Sequence, residues 1–151
     1  MNISRYLPKN CIKIGLAAED KESVILELVG FAAFATGMVR NERKLLQAVM
    51  ERERKASTGI GMGIAIPHGR TFAVRDFLMV LCIENRGRDF EALDNQPAQL
   101  FFLMSAPPDN DTKYLRVIRE LGESLRDEEL REKLKQAETV DEAYFLLKGT
   151  G

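Results

Sequence analysis

The stretch STGIGMGIAIPHGR, residues 57–70, organises the rest of the chain around it. Three glycines lead into the short apolar segment 64–66, which reads as a strand and runs into Pro67 and His68. His68 is the one histidine of the chain. Imidazole is the side chain that is largely neutral, and therefore nucleophilic, near physiological pH without a special environment. A lone histidine is more often structural, but this one lies between a proline and a glycine, outside any apolar helix face, and that placement indicates a site.

Two helices are predicted before this stretch. Residues 21–36 carry apolar side chains at helical spacing, with Asp20 available as N-cap and Gly37 just beyond the end. A second helix follows the capping residue Asn41 and runs to about residue 54 with a charged outer face. Ahead of both, residues 11–16 form a short strand or an extended lead-in.

The remaining elements follow the stretch. Residues 77–83 and 99–104 are near-continuous apolar runs, which is typical of strands covered on both faces. Between them, the weak alternation over 88–93 predicts a short additional strand, and three helices are predicted at 112–125, 127–136 and 140–147. Thr139 and Glu142 form a capping box at the last of these. The order predicts an α/β fold: a mixed β-sheet flanked by helices on both faces.

Composition narrows the class of protein. A chain of 151 residues with 45% hydrophobic content predicts a single domain over residues 1–151. With 22 Lys plus Arg against 23 Asp plus Glu, the net charge of -1 gives no global electrostatic case for binding nucleic acid. No secretion signal precedes the first helix and no apolar run reaches the roughly 18 residues that a membrane span needs, so we expect a soluble, cytoplasmic protein without membrane insertion. Cys11 and Cys82 lie in apolar runs, which predicts buried thiols, and they lack the ligand-spaced partners of a metal motif. We expect no metal and no cofactor.

Several side chains near His68 suit the transfer of a charged group. The hydroxyls of Ser57 and Thr58 can donate to oxyanions, and the glycines let the backbone come close to a ligand, although the same glycine spacing also occurs in ordinary turns. The pattern is neither a Walker loop nor a dinucleotide fingerprint. Arg52 and Arg70 offer bidentate donors for a phosphoryl group, while the alternative is that they are a solvated helix end and a loop charge.

Together, Arg52-Glu53, residues 57–61 and residues 63–70 resemble the enzyme IIA domains of the bacterial phosphoenolpyruvate-dependent phosphotransferase system, of the fructose/mannitol type and especially its nitrogen-regulatory branch. Agreement extends to residues 3–7, to the turn at 94–97 and to the terminal helices. The resemblance implies a mixed sheet of about five strands with flanking helices. It implies that His68 accepts a phosphoryl group from the carrier protein HPr or its nitrogen-branch counterpart. It also implies that Arg52 is the phosphate-site arginine, that Thr58 lies beside it and that Gly69 and Arg70 continue the motif.

The chain departs from the family pattern at two positions. Tyr114 occupies the place of a second active-site histidine; it can donate a hydrogen bond but cannot act as a cation at neutral pH, and packing on its helix explains it equally well. Asn95 replaces a glycine, which is a mild change because asparagine tolerates left-handed backbone geometry. The missing histidine favours a regulatory role over sugar transport. Two alternatives stay open: a binding module for a kinase, channel or transcription factor with vestigial transfer, and a sugar-specific component that passes its phosphoryl group to an enzyme IIB.

Overall fold

The structure is a computed structural model that describes residues 3–149, apart from the side chain of Asp111. The predicted single domain over residues 1–151 includes residues 1, 2, 150 and 151, which lie outside the described residues. The assignment of one domain therefore stays a prediction.

Two long strands form the centre of the sheet. Strand β5 (Leu78–Arg88) pairs antiparallel with β6 (Ala98–Ala106), with Leu81 opposite Phe102. Nearly every residue of both strands is buried. Because neighbouring side chains of a strand point to opposite faces, this burial means that both faces of the sheet are covered, as the apolar runs predicted.

Four shorter strands complete the sheet: β1 (Ile12–Ile14), β2 (Gly59–Gly61), β3 (Ile64–Ala65) and β4 (His68–Arg70). The strand order is β1-β5-β6-β3-β2, and β4 also pairs with β6. The pairs β1–β5, β3–β6 and β4–β6 are parallel, whereas β5–β6 and β2–β3 are antiparallel. The predicted mixed sheet is confirmed, with six strands. Since β5 occupies one edge of β6, β3 and β4 lie one after the other along its opposite edge.

The two early helices, α1 (Lys21–Thr36) and α2 (Glu42–Lys55), begin at the predicted caps. The side chains of Asp20 and Asn41 each accept the backbone N–H three residues on, at 3.2 and 3.1 Å. Gly37 ends α1 in the left-handed conformation with φ of 65°. Sequence signals at both ends of these helices are therefore confirmed to within a residue.

Three helices follow the sheet: α3 (Asp111–Ser124), α4 (Glu128–Lys135) and α5 (Val140–Lys148). Thr139 caps α5 by accepting the N–H of Glu142 at 3.1 Å. The Glu142 carboxylate accepts the N–H of Glu138 at 3.2 Å instead of that of Thr139, so the predicted capping box closes one residue earlier. Across residues 3–149, no helix is long and apolar enough to cross a membrane.

The glycine-rich segment forms a β-hairpin. Strands β2 and β3 pair across it, and Met62 and Gly63 make the turn with φ of 59° and 78°. Strand β3 lies within the segment 64–66 that the sequence predicts as a strand, whereas β2, an edge strand of three residues, gives no alternation that a sequence reading can detect.

The short strand predicted over residues 88–93 is wrong. Arg88 is the last residue of β5, and the chain then turns, with Glu91 at φ of 54°. The ring of Phe90 is fully buried, 5.7 Å from that of Phe101. Phe90 is therefore buried because its ring packs into the core from a turn. A buried residue flanked by polar ones gives the same sequence pattern as a strand. Asn95 in the following turn has φ of 59°, the left-handed geometry expected of it.

Both cysteines are free and buried, as predicted. Burial raises the pKa of the Cys82 thiol to about 12. At neutral pH this thiol is therefore protonated and unreactive.

Candidate functional site

His68 is held at the start of β4, between the sheet and helix α2. It lies opposite Met104 of β6, and the Ser105 hydroxyl donates to the carbonyl of Gly69 at 2.6 Å. On the other side, a Cβ at Gly69 would meet the carbonyl carbon of Ala48 at 2.8 Å. Only glycine lets α2 approach β4 this closely, so Gly69 sets the distance between the helix and the histidine.

One hydrogen bond fixes the chemistry of the half-buried imidazole. Its Nδ1 lies 2.8 Å from the backbone carbonyl of Ile66. A carbonyl only accepts, so in the neutral ring Nδ1 carries the proton and Nε2 has the lone pair. Ile66 and Pro67 lie between β3 and β4, and Pro67 has no N–H. This break between the two strands brings the Ile66 carbonyl within reach of the His68 ring, two residues on.

The histidine lines a cleft of about 350 Å³ formed by three elements. Helix α2 contributes one wall, β4 the floor, and the first turn of α3 the other wall. The lining residues are Ala48, Glu51, Arg52, Lys55, His68, Gly69, Arg70 and Tyr114. Three of these side chains are cationic and one is anionic, so the cleft favours a negatively charged ligand.

The structure brings both predicted arginines to this cleft. Arg52 Nη1 donates to the carbonyl of Ala56 at 2.8 Å, beyond the end of its own helix. Arg70 Nη2 donates to the carbonyl of Pro108 at 3.1 Å. A guanidinium has five N–H donors in a planar fork, so the bond to Ala56 leaves Arg52 with donors for an oxyanion.

Tyr114 closes the cleft from α3. Its ring is 6.4 Å from that of His68, and the guanidinium carbon of Arg70 lies 5.2 Å from the tyrosine ring centre. The side chain is 4% exposed, and its hydroxyl has no hydrogen-bond partner among the described residues. Burial raises the pKa of Tyr114 to about 12, against the opposing effect of the nearby Arg70 and Arg52 charges.

Ser57 and Thr58 do not line the cleft, contrary to the expectation that their hydroxyls meet the transferred group. The Ser57 hydroxyl donates to the carbonyl of Phe90 at 2.6 Å. Thr58 is 3% exposed, and its hydroxyl donates to Glu53 at 2.5 Å while its backbone N–H donates to the same carboxylate at 2.7 Å. Both residues join the hairpin to neighbouring elements instead of facing a ligand.

Glu53 is the important residue that sequence reasoning missed. Besides Thr58, it binds Lys21 Nζ at 2.9 Å, so this buried carboxylate connects α2, the hairpin and the start of α1. The sequence contains a signal for this role. Glu53 lies four residues after Val49 on the buried face of α2, and a carboxylate on such a face needs hydrogen-bond or ion-pair partners. Its effect on the cleft is indirect, since it fixes the helix end that carries Arg52.

Comparisons with known proteins agree on one family. The family model described as phosphoenolpyruvate-dependent sugar phosphotransferase system, EIIA 2, matches residues 5–149. The fructose-specific EIIABC component of Bacillus subtilis is 36% identical over 93% of this chain, which spans only 22% of that protein. The nitrogen regulatory protein of Bradyrhizobium diazoefficiens is 30% identical over 97% of this chain and 95% of its own length.

A solved structure has the same fold. It is the complex of enzyme IIAMtl with phosphorylated enzyme IIBMtl from Escherichia coli, determined by NMR. The similarity has a TM-score of 0.80 and 29% identity, and it covers 94% of this chain and 96% of that one.

Proposed function

The chain belongs to the phosphoenolpyruvate-dependent sugar phosphotransferase system EIIA 2 family, and from this membership we propose that it carries a phosphoryl group on His68. The donor is the phosphohistidine of HPr or of its nitrogen-branch counterpart. Chains of this family are phosphotransferase components.

The observation that best supports the proposal is the hydrogen bond between Nδ1 of His68 and the Ile66 carbonyl at 2.8 Å. It leaves Nε2 as the nucleophilic nitrogen of a ring that lines an electropositive cleft. A histidine serving only as core packing has no need of two guanidinium groups beside it.

In the proposed step, the Nε2 lone pair attacks the phosphorus of the donor phosphohistidine. The new N–P bond forms as the bond to the donor nitrogen breaks, and that electron pair returns to the donor ring. Arg52 and Arg70 bind the phosphoryl oxygens as charge-assisted donors. Because one histidine replaces another, positioning and charge stabilisation are sufficient for catalysis.

The partners follow from the cleft and its rim. Phe72, two residues after Arg70, is 63% exposed, and Leu115, next to Tyr114, is 59% exposed. Exposed apolar side chains beside a phosphate site suit a protein donor more than a small molecule. We expect this relay to operate in the cytoplasm.

The phosphorylated chain has two candidate uses. Similarity to a nitrogen regulatory protein over nearly its whole length favours a signal read by a regulated kinase, channel or transcription factor. The relative solved with phosphorylated enzyme IIB favours onward transfer to an enzyme IIB of a sugar permease. Tyr114 in place of a second histidine inclines us to the regulatory use.

Labelling with radioactive phosphoenolpyruvate, enzyme I and each carrier tests the proposal. We expect an acid-labile, alkali-stable label on the wild-type chain and none on His68→Ala. Because the chain has one histidine, phosphohistidine identifies the residue without mapping. If neither carrier labels the wild-type chain, the carrier function is wrong and the binding-module alternative takes its place.

A further inference from the structure

The Tyr114 hydroxyl is buried without a hydrogen-bond partner among the described residues. Buried polar groups are nearly always paired, and leaving one unpaired destabilises a protein. The same ring without its oxygen would make the same edge contact with Phe77, 6.4 Å away. Packing therefore accounts for the ring and leaves the oxygen unexplained.

The surroundings of this hydroxyl are those of an anion site. Tyr114 lines the cleft together with His68, Arg52 and Arg70. The charges of both arginines act on the phenol, and its raised pKa keeps it protonated at physiological pH. A neutral phenol near two guanidinium groups can offer an anion one further donor.

We propose that the Tyr114 hydroxyl donates a hydrogen bond to the phosphoryl group on His68, and that phosphorylation supplies the acceptor which this buried oxygen otherwise lacks. This inference rests on the proposed function. It gives Tyr114 a part in holding the phosphorylated state, beside Arg52 and Arg70.

Removing the Tyr114 hydroxyl should therefore affect the unphosphorylated and the phosphorylated protein in opposite ways. In the unphosphorylated chain the hydroxyl has no partner among residues 3–149, so its removal leaves stability unchanged or higher. In the phosphorylated chain the hydroxyl binds an anion, so its removal weakens that state. A purely structural tyrosine would instead lower the stability of the unphosphorylated chain when its oxygen is lost.

Tyr114→Phe in the full chain separates these outcomes. We expect the equilibrium constant for phosphoryl transfer from phosphorylated HPr, or from its nitrogen-branch counterpart, to fall about tenfold, as loss of a hydrogen bond to a charged group does. The melting temperature of the unphosphorylated variant should equal or exceed that of the wild type. Tyr144→Phe makes the same chemical change on α5, near Lys9 and Lys148, and should leave both values unchanged.

An equilibrium constant for Tyr114→Phe equal to that of a labelled wild type overturns this inference and leaves the carrier function standing. A lower melting temperature of the unphosphorylated variant also overturns it, because the hydroxyl then has a partner already. If the wild type takes no label at all, the carrier function fails and this inference fails with it.

Discussion

At the scale of single residues, Arg52 has two tasks at the end of α2. One N–H of its guanidinium closes the helix on the carbonyl of Ala56, and the group also borders the cleft beside His68. The first task orients the side chain for the second. Arg54, two residues on, borders a separate cavity of about 300 Å³ near Lys21.

This difference predicts how replacing each arginine changes the rate of phosphoryl transfer. Arg52→Ala should lower the initial rate of phosphoryl transfer to His68 by about 100-fold, as loss of a preorganised donor does. Its exposed bond to Ala56 contributes only about 1 kcal/mol to stability. Arg54→Ala is the matched control and should change the rate less than twofold. Equal rates for the two variants would remove Arg52 from the site.

Sequence reasoning singled out four residues that line one cleft, His68, both arginines and Tyr114, because each lies in or beside a motif with a chemical rationale. It placed Ser57 and Thr58 in the site because a hydroxyl next to glycines resembles an oxyanion donor. Their actual partners, Phe90 and Glu53, lie 33 and 5 residues away along the chain. Only the folded chain shows which hydroxyls are already occupied.

At the scale of elements, the close approach of α2 to β4 positions the site. A Cβ on Gly69 would lie 2.8 Å from the carbonyl carbon of Ala48 and 2.9 Å from the nitrogen of Val49. Both atoms belong to the backbone of α2, which cannot yield as a flexible side chain can. Apart from the backbone of its own helix, a Cβ on Gly122 in α3 would have no described atom within 4 Å.

Two glycine substitutions should therefore have opposite signs. Gly69→Ala should lower the free energy of unfolding by about 1–3 kcal/mol through overpacking, and it should slow labelling of the adjacent His68. Gly122→Ala should raise the free energy of unfolding by about 0.5–1 kcal/mol, because alanine favours a helix interior. Urea unfolding measures both. An unchanged free energy of unfolding for Gly69→Ala would contradict the close packing of α2 against β4.

Elements with their own local signals were predictable, and elements that depend on neighbours were not. Helices α1 and α2 have caps and periodicity, and β5 and β6 have long apolar runs. Strands β2 and β4 have three residues each and exist because β3 and β6 offer them free edges. The alternation of apolar and polar residues around Phe90 resembled a strand because the Phe90 side chain is buried, although the backbone there is a turn.

At the scale of the whole molecule, two carboxylates hold the segment between β1 and α1: one comes from a strand distant in sequence and the other from the helix that follows. Glu84 of β5 accepts the N–H of Leu16 at 3.1 Å, and Glu27 of α1 accepts that of Ala18 at 2.8 Å. Burial acts to raise both pKa values, but backbone N–H groups and nearby cations outweigh it, so the pKa of each carboxyl is lowered. Arg88 donates to the carbonyl of Ala18 at 2.7 Å in the same junction.

Stability should consequently fall in acid. A lowered pKa means that the unfolded chain binds protons more readily, so unfolding becomes easier as the pH drops through the ordinary value of 4.5 and below. Chemical unfolding between pH 7 and 3 measures this. Glu84→Gln should be less stable at pH 7 and lose less stability on acidification. Glu51→Gln, at an exposed position, should follow the wild-type curve, and an unchanged slope for Glu84→Gln would contradict the assignment.

The bond from Nδ1 of His68 to the Ile66 carbonyl spans just two residues, so the tautomer that the proposed transfer needs is selected within a tripeptide. Mutations on the exposed surface around Phe72 and Leu115 should therefore change which proteins bind without changing this hydrogen bond. Proteins with this fold can then differ in their partner proteins while the histidine keeps the same tautomer.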